Sequence, residues 1–378
     1  MLLKPLKAIA RIIFSFKYHY IIKPILFRLN PEIVHEKAIR LGHKLGKRSL
    51  GRKLLKVFSY RNAKLSQNLL GCHFVNPVGL SAGFDKNAEI IPTLAPLGFG
   101  FAQIGSITNH PYGGNKSPRA QRIPEKKALL INYGLKNIGA DRILERIRRN
   151  HSPIPLGISI AKTNSPKTVQ LQDGVEDYKN CLRKVIRSEQ GSFYTINISC
   201  PNTFGGEPFS DAGKFTALLD NLKQLNPKKP ILIKMPINLA WDDFKKLLDI
   251  AIKHGVAGVV IGNLNKDYSS IGLDKSQWLG GISGKPTENL SNYLIGKTYQ
   301  EYGRELVIVG VGGIFSAKDA YEKIKQGASL VQLITGMVYR GPQLIGQINA
   351  GLVHLLKKDG YSHISQAIGA NYRRDTLS

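Results

Sequence analysis

Residues 194–199 read Tyr-Thr-Ile-Asn-Ile-Ser, a short apolar run that ends at the turn Cys200-Pro201-Asn202. A run of about four to eight such residues, bounded by turn residues, is typical of a buried strand. Seven similar runs flank it, separated by segments of helical spacing such as Trp241–His254 and Ala317–Gln326. The predicted strands are Val78–Ala82, Gly100–Gly105, Pro155–Ile160, Tyr194–Ser199, Ile231–Met235, Gly258–Ile261, Leu306–Val309 and Leu330–Thr335. Alternating strands and helices form parallel sheet, and eight such units predict a closed (β/α)8 TIM barrel of the α/β class.

The first 60 residues lack this alternation and are predicted to form an N-terminal helical layer before a barrel that spans residues 61–378. Apolar residues recur there at three- and four-residue steps with basic residues between them, which predicts an amphipathic helix. The apolar positions are Leu2, Leu6, Ile9, Ile13 and Phe16, and the basic ones are Lys4, Lys7, Arg11 and Lys17. The lysines interrupt the segment too often for a membrane-spanning helix, and no signal-peptide cleavage site follows. We expect a membrane-associating helix at the bilayer surface; the alternative is a helix packed on the barrel.

A second helix of this layer is predicted to begin at Asn30-Pro31-Glu32. The three residues supply an N-cap, a proline at the first helical position and an acid in the first turn. The apolar residues on one side of this helix are Ile33, Val34, Ala38, Leu41 and Leu45. The segment before residue 60 is therefore distinct from the barrel that follows.

The chain is strongly basic, with 54 Lys and Arg against 26 Asp and Glu and a formal net charge of +28. Such an excess favours acidic partners, namely nucleic acid, anionic lipid or anionic substrates. The alternative is a lysine-rich surface without a specific partner, because the basic residues are spread along the whole chain. The cysteines Cys72, Cys181 and Cys200 form no C-x-x-C pair, so neither a disulfide framework nor a metal site is predicted. A reducing, cytosolic setting fits this cysteine usage.

Two strand ends carry the residues best suited to chemistry. After the first strand, Ser81-Ala82-Gly83-Phe84-Asp85-Lys86 combines small residues, which let the backbone approach a flat ligand, with a cation. After the fourth strand, Asn197 and Asn202 flank Cys200. Amides read the donors and acceptors of a polar ring, and a thiolate takes up a proton. A buried structural cysteine is the alternative, and the neighbouring amides favour function.

Later strands end in Lys234, Gly262-Asn263, Gly310-Val311-Gly312-Gly313 and Thr335-Gly336. The last two segments are predicted to cradle a phosphate, because barrels often bind phosphate with backbone N–H groups after strands seven and eight. No G-x-G-x-x-G opens a helix after an early strand, so a dinucleotide-binding fingerprint is not indicated.

Taken in order, these blocks resemble the dihydroorotate dehydrogenase family, and specifically its quinone-dependent class, class 2. The matching segments are Leu26–Glu32 with His35, Ala82–Lys86, Ile104–Ser106, Asn197–Asn202, Gly280–Gly284 and Gly310–Gly313. The resemblance implies an FMN-dependent oxidoreductase that converts (S)-dihydroorotate to orotate in pyrimidine biosynthesis and passes the electrons to a membrane quinone. It also implies peripheral association with the cytoplasmic face of the cell membrane through the N-terminus, and no nucleic-acid partner.

The resemblance also assigns site residues. Cys200 would take the proton from C5 of the substrate while the hydride leaves from C6. His35 and Arg122 would line the quinone tunnel. FMN would contact Ala82, Gly83, Phe84, Asp85, Lys86, Ser106, Ser159, Asn197, Lys234, Gly262, Gly284, Gly313, Ile334 and Thr335. The substrate would contact Lys86, Asn132, Tyr133, Leu135, Asn197, Asn202 and Asn263.

Several positions depart from the pattern of that family. The quinone-dependent class carries serine where this chain has Cys200, and cysteine is typical of the cytosolic classes. A gap-free match puts Ile131 at a substrate-binding asparagine, with Asn132 one residue away, and a one-residue slip reverses a side chain's direction. The remaining departures are Ser159 and Gly262, where an Asn and a Thr touch FMN, Leu264, which replaces a substrate-site Thr, and Ile334, which replaces an aromatic residue.

Two other functions fit parts of the sequence. A tRNA-dihydrouridine synthase, from the same group of flavin barrels, would suit the positive charge, but its turn typically reads Asn-x-Gly-Cys-Pro and not Asn-Ile-Ser-Cys-Pro-Asn. A non-catalytic barrel that binds flavin or phosphate at the membrane would suit the departures. Retention of Cys200, Lys86 and three asparagines argues for the enzyme.

Overall fold

The computed structural model describes residues 3–274 and 279–373, so Leu2 of the predicted first helix lies outside the described residues. The N-terminal helices are α1 (Leu3–Lys17), α2 (Lys23–Arg28), α3 (Pro31–Lys47) and α4 (Ser49–Leu55), and a π-helical segment, Tyr18–Ile22, joins α1 to α2 without a break. Asn30 caps α3 as predicted, because its Oδ1 accepts hydrogen bonds from the backbone N–H groups of Glu32 (2.8 Å) and Ile33 (3.4 Å). Within the described residues, no helix combines the length and apolarity needed to cross a membrane.

The rest of the chain forms a barrel, a two-stranded sheet and a three-stranded sheet. Its strands are β1 (Gln67–Leu69), β2 (Cys72–Phe74), β3 (Val78–Leu80), β4 (Phe101–Ile107), β5 (Ala120–Ile123), β6 (Ala128–Ile131), β7 (Leu156–Ile160), β8 (Phe193–Asn197), β9 (Ile231–Met235), β10 (Gly258–Ile261), β11 (Gly281–Gly284), β12 (Val307–Val311) and β13 (Leu330–Leu333). The helices that follow or join them are α5 (Ile91–Leu97), α6 (Ala140–Arg149), α7 (Leu171–Ser188), α8 (Ala212–Lys223), α9 (Trp241–Lys253), α10 (Glu288–Tyr302), α11 (Ala317–Lys325), α12 (Thr335–Arg340) and α13 (Leu344–Lys358).

Eight of these strands close a parallel barrel in the order β3, β4, β7, β8, β9, β10, β12, β13, and β13 pairs with β3 to complete the ring. The predicted fold is therefore confirmed, and the predicted strand bounds differ from the observed ones by no more than two residues. Several predicted strands ran too far at their carboxyl ends. Ser81-Ala82, Ile198-Ser199 and Ile334-Thr335 lie beyond the strands, because there the chain leaves the sheet and turns over the mouth of the barrel.

An apolar layer closes the amino end of the barrel. The antiparallel hairpin β1–β2 covers this end, and its Phe74 packs edge-to-face on Phe101 at 5.4 Å. The layer consists of Phe74, Phe101, Phe193, Leu232, Val260, Val309 and Leu330. Two residues further along the strands, the inward side chains become polar, as at Gln103, Thr195, Lys234 and Gln332. The barrel is thus sealed at one end and polar towards the other.

Helix α3 lies against α5 at the open end of the barrel. Ile39 is buried in this contact, and Gly42 and Gly46 allow close approach: a Cβ at either position would lie 2.9 Å from a side-chain carbon of Ile90 or Thr93. Ile33 and Leu41, which the sequence placed on one apolar side, are exposed. The predicted apolar side is therefore not the side that contacts α5.

The antiparallel sheet β5–β6–β11 stands beside the mouth of the barrel. Strand β6 pairs with β5 on one side and with β11 on the other, where Ile131 lies opposite Gly281. Arg122 on β5 and Ile131 on β6 are thereby brought between the N-terminal helices and the barrel mouth.

We expect Phe101→Ala to lower the free energy of unfolding by about 3–5 kcal/mol, the usual cost of emptying a phenylalanine site in a packed core. Urea unfolding followed by circular dichroism would measure this. Phe204→Ala is the matched control, because the Phe204 side chain is 47% exposed, and its cost should stay below about 1 kcal/mol. Equal costs for the two variants would contradict the assignment of Phe101 to the layer that seals the barrel.

Candidate active site

One cavity of about 700 Å³ lies between the N-terminal helices and the carboxyl ends of the barrel strands. The part under the helices is mostly apolar and is lined by Phe14, Tyr18, Ile22, Leu26, Pro31, Val34, Ala38, Leu41, Leu45, Leu55 and Phe58. The part over the barrel is lined by the strand ends that the sequence singled out. A ligand held at the barrel mouth and a second, apolar ligand under the helices would share this space.

Nineteen of the predicted site residues line the cavity. They are His35, Ala82, Gly83, Phe84, Lys86, Ser106, Arg122, Tyr133, Leu135, Asn197, Cys200, Asn202, Lys234, Gly262, Asn263, Gly284, Gly313, Ile334 and Thr335. Ile131 and Leu264, two of the departures from the family pattern, line it as well. Parallel strands bring their carboxyl ends to one mouth, which explains why residues this far apart in sequence meet.

Three predicted positions lie behind the lining and support it. The buried carboxylate of Asp85 accepts hydrogen bonds from the backbone N–H groups of Glu89 (2.8 Å) and Ile90 (3.0 Å), so it holds the turn after β3. Ser159 is fully buried, with its hydroxyl 2.7 Å from that of Ser106. The Oδ1 atom of Asn132 accepts a hydrogen bond from Asn115 (2.9 Å).

A hydrogen-bonded chain fixes the amides near Cys200. Asn197 donates to the Ser106 hydroxyl (2.9 Å), and its Oδ1 accepts from the backbone N–H (3.1 Å) and hydroxyl (3.0 Å) of Ser199. Asn263 donates to the same Ser199 hydroxyl (2.6 Å). The carbonyl of Asn197 accepts from Tyr178 at 2.7 Å. Because each amide is oriented by its neighbours, the donors and acceptors face the cavity in a defined arrangement.

Asn115 is a second centre of hydrogen bonding that the sequence analysis missed. Its amide nitrogen donates to Oδ1 of Asn132 and to the carbonyl of Asn202 (3.0 Å), while its oxygen accepts from Tyr112 (2.8 Å) and Asn164 (3.2 Å). It belongs to the long loop between β4 and β5. The adjacent pair Gly113-Gly114 indicates a turn there, but nothing in the sequence indicates a role for Asn115. Asn115 thus ties the loop after β6 to the loop that carries Cys200.

Cys200 is a half-buried thiol at the centre of the polar half of the cavity. Burial raises its pKa to about 11, and the backbone N–H of Asn202 and the ammonium groups of Lys234 and Lys162 oppose that rise. Lys162, which was not predicted, donates to the carbonyl of Phe204 at 2.9 Å and so holds the loop after Cys200. The thiol is therefore protonated at neutral pH and has cations nearby.

Two lysines, the buried Lys234 and the partly buried Lys86, face the cavity. Burial lowers the pKa of both Lys86 and Lys234 to about 8. The Lys86 ammonium lies 3.2 Å from Nε2 of His35 and 4.1 Å from the centre of the Tyr133 ring. Burial, and then Lys86, lower the pKa of His35 to about 3, so His35 is neutral. Across residues 3–274 and 279–373, neither ammonium has a carboxylate within 4 Å, so both remain available to an anionic ligand.

The wall of the cavity that the later strand ends form is rich in glycine. Gly284, Gly312 and Gly313 adopt positive φ angles, and a Cβ at Gly284 would lie 2.4 Å from the Lys127 carbonyl. The N-terminus of α12 lies beside them, and Ser283 and Thr335 join their hydroxyls at 2.7 Å. Gln332, also missed from the sequence, is fully buried with both polar atoms of its amide unpaired. Such an amide is satisfied when a polar ligand fills the cavity.

The barrel, the enclosed cavity at its carboxyl end and the buried thiol among oriented amides together define a (β/α)8-barrel oxidoreductase of the type that binds its reactants at the strand ends. Within the described residues, no group of three or more His, Cys, Asp or Glu side chains is arranged to hold a metal ion. A sequence profile described as dihydroorotate dehydrogenase matches residues 64–356. The chain belongs to the dihydroorotate dehydrogenase family.

Curated relatives are similar over almost their whole length. One from Gloeobacter violaceus, named dihydroorotate dehydrogenase (quinone), is 36% identical over 93% of this chain and 98% of the relative. A relative of the same name from Haloarcula marismortui is 37% identical with the same coverage. Among solved structures, a ligand-free DHODH from Eimeria tenella superposes with a TM-score of 0.81 at 26% identity, over 91% of this chain and all of that one. A complex of the Eimeria tenella protein with ferulenol gives a TM-score of 0.79 at 25% identity, over 91% of this chain and 96% of that one.

We expect Asn115→Leu to speed backbone amide exchange in the loop Thr203–Gly206 by about tenfold or more, because the variant loses the hydrogen bond to the Asn202 carbonyl and, through the lost bond to Asn132, the connection of this loop to the loop after β6. Hydrogen–deuterium exchange with mass spectrometry would measure the change. Asn221→Leu is the control, since the Asn221 amide bonds to the Ala217 carbonyl within its own helix. Unchanged exchange in the Asn115 variant would show that this residue does not hold the Cys200 loop.

Proposed function

We propose that this chain binds FMN, oxidises (S)-dihydroorotate to orotate in pyrimidine biosynthesis, and passes the electrons to a membrane quinone. The observation that carries the proposal is a single cavity that is polar at the barrel mouth and apolar under the N-terminal helices. Its polar part holds Cys200, oriented asparagines and two lysines that have no carboxylate within 4 Å among the described residues. The named relatives support this function over the two rivals, an RNA-modifying flavin barrel and a non-catalytic barrel.

The residues present fit FMN. Gly284, Gly312 and Gly313, with the start of α12, would hold its phosphate, because their backbone accepts close approach. The unpaired amide of Gln332 and the Lys234 ammonium would meet the polar edge of a flavin ring. When bound, FMN supplies the acceptor for the hydride that leaves C6 of the substrate.

The polar half of the cavity would orient dihydroorotate. Lys86 is a partly buried cation without a carboxylate partner among the described residues, and it would bind the carboxylate of the substrate. Asn197, Asn202 and Asn263 would hydrogen-bond the amide groups of the pyrimidine ring. The Asn202 amide already donates to the carbonyl of Ile131 at 2.8 Å, which fixes its orientation.

Cys200 would act as the base that removes the proton from C5. The base works only as thiolate, and burial raises the pKa of this thiol to about 11. A group with a raised pKa is deprotonated only as the pH approaches that value, so flavin reduction should accelerate with rising pH well above neutrality. Lys234 and Lys162 favour the thiolate and would reduce the cost of forming it.

We expect Cys200→Ala to retain FMN but to slow flavin reduction by dihydroorotate by roughly 10²-fold or more, the usual contribution of a general base. Cys200→Ser should keep more activity than the alanine variant and should require a higher pH, because a serine hydroxyl is a weaker acid than a thiol. Anaerobic stopped-flow bleaching of the flavin across pH is the measurement. Reduction of the alanine variant at the wild-type rate would exclude Cys200 as the base.

The apolar space under the helices would admit the quinone. Arg122 bridges the helices and the barrel: its guanidinium donates to the carbonyl of Leu29 (2.7 Å) and lies 4.8 Å from the centre of the Phe27 ring. Its buried Nε has no hydrogen-bond partner within the described residues, and Arg122 lines this space. A quinone carbonyl would satisfy that donor.

We expect Arg122→Ala to raise the KM for a short-chain quinone by about tenfold, the scale of one hydrogen bond from a charged donor, and to change the KM for dihydroorotate less. Arg119→Ala is the control. Arg119 also ties α3 to the barrel, through Glu32 at 3.3 Å, but it does not line the cavity. A better turnover with fumarate or NAD than with quinone would overturn the assigned acceptor.

The N-terminal helices would hold the protein at the cytoplasmic face of the cell membrane. Leu6, Ile9, Ile12, Ile13 and Phe16 on α1 are each at least half exposed. The first 64 residues contain 16 Lys and Arg and two acids, so they carry half of the chain's net positive charge. Exposed apolar side chains combined with basic residues are the features of a helix that lies in the surface of an anionic membrane.

We expect deletion of residues 1–28 to weaken binding to anionic vesicles and to slow the quinone reaction, because both depend on the exposed face of α1 and on the space beneath it. Flavin reduction by dihydroorotate should be largely preserved, since its residues lie on the barrel. Vesicle sedimentation and half-reaction kinetics would test both statements. Equal vesicle binding by the truncated and full-length proteins would contradict the membrane role of this segment.

A further inference from the structure

A second cavity, of about 350 Å³, lies on the side of the N-terminal helix that faces away from the candidate active site. It is lined by Ile12, Ser15, Phe16, His19, Tyr20, Arg340 and Gln347. Phe14, Tyr18 and Ile22 of the same helix line the active-site cavity. The helix therefore separates two cavities.

Tyr18 brings the walls of this second cavity together. It is the first residue of the π-helical segment, and its buried hydroxyl donates to the carbonyl of Val338 at 2.7 Å. Gly341 permits this contact, because a Cβ there would lie 2.8 Å from the Tyr18 ring. With Tyr18 seated on the end of α12, its neighbour His19 faces Arg340. A π-helical turn often marks a functional position in a helix.

Two cations border this cavity: Arg340 lines it, and Lys23, which is not part of the lining, contacts the lining residue His19. The Lys23 ammonium lies 3.2 Å from Nδ1 of His19, and Arg340 and Lys127 are close enough to Lys23 to repel its charge. In the part of the chain that the structure describes, neither Lys23 nor Arg340 has a carboxylate within 4 Å. Clustered cations without counter-charges attract an anion, and a guanidinium binds a phosphate with two parallel hydrogen bonds.

The rim of the cavity is apolar and open. Ile12, Phe16 and Tyr20 expose 65%, 61% and 62% of their surfaces, and the Phe16 and Tyr20 rings contact each other at a tilt of 44°, with their centres 4.5 Å apart. A free inorganic anion would gain nothing from these side chains. A ligand with a phosphate and attached hydrocarbon would contact both the cations and the rim.

We propose that this cavity binds the phosphodiester of an anionic membrane phospholipid, with Arg340 and Lys23 on the phosphate and the acyl chains along Ile12, Phe16 and Tyr20. The proposal rests on the proposed membrane association. A lipid bound here would fix the helix whose other side lines the quinone space, so lipid occupancy would set the position of that wall.

The direct test is calorimetric titration of the full-length holoprotein with monomeric dihexanoylphosphatidylglycerol below its micelle concentration, where no charged surface contributes. We expect one lipid to bind per chain. Arg340→Gln and Lys23→Gln should each weaken binding by about tenfold or more, the scale of a charge-assisted hydrogen bond. Lys17→Gln is the matched control, because it removes the same charge from an exposed position of α1 that is neither in the cavity lining nor among the cations around Lys23, and its affinity should match wild type.

Four outcomes would overturn the proposal. Binding that survives Arg340→Gln would locate the lipid elsewhere, including the active-site cavity, and an equal loss in Lys17→Gln would show only diffuse attraction. Equal affinity for inorganic phosphate would make this an anion site without a role for the acyl chains, and equal affinity for dihexanoylphosphatidylcholine would exclude selection of an anionic lipid. Vesicle sedimentation distinguishes failure of the lipid site from failure of the proposed membrane association. If the protein binds no vesicles but still binds the monomeric lipid, membrane association is refuted and the lipid site stands.

Discussion

Two ammonium groups, Lys86 and Lys234, determine what the cavity of this protein accepts. Desolvation disfavours their charge, as their pKa values of about 8 indicate, and no carboxylate within 4 Å compensates them among residues 3–274 and 279–373. The barrel places both at its mouth, and the N-terminal helices cover that mouth. A cavity of this kind selects anions, and both groups proposed for it, the carboxylate of dihydroorotate and a flavin that gains negative charge on reduction, satisfy the same requirement.

The fold was predictable because it follows from local patterns. A parallel barrel is predicted by strand runs rich in Val, Ile and Leu, with turn residues at their ends and amphipathic helices between them. The N-cap at Asn30 predicts the start of α3. The patterns did not predict where some strands end, as at Ile334-Thr335, because that end depends on where the chain leaves the sheet. The π-helical segment Tyr18–Ile22 was also missed, because a wider backbone hydrogen bond, from the N–H of Lys23 to the carbonyl of Tyr18, distinguishes it from an α-helical turn, and the residue pattern does not indicate that bond.

Most of the candidate site could be named from sequence, because its residues follow the strands in recognisable blocks. The residues that were missed act through distant partners. Asn115 connects Asn132 to the carbonyl of Asn202. The spacing of these residues along the chain does not predict those hydrogen bonds. Gln332 looks like any polar residue within a strand until the barrel closes around it and leaves its amide unpaired. Conversely, Asp85 lies in a matching block, yet its carboxylate holds the backbone of its own turn.

If the proposed function is correct, this cavity oxidises dihydroorotate at FMN and delivers the electrons to a quinone. The most direct measurement is the visible flavin absorbance of the purified full-length protein under anaerobic conditions, first on adding dihydroorotate and then on adding a quinone. We expect dihydroorotate to bleach the flavin with stoichiometric formation of orotate, and quinone to restore the oxidised spectrum. A flavin that stays oxidised in the presence of dihydroorotate, or a purified protein without flavin, would contradict it.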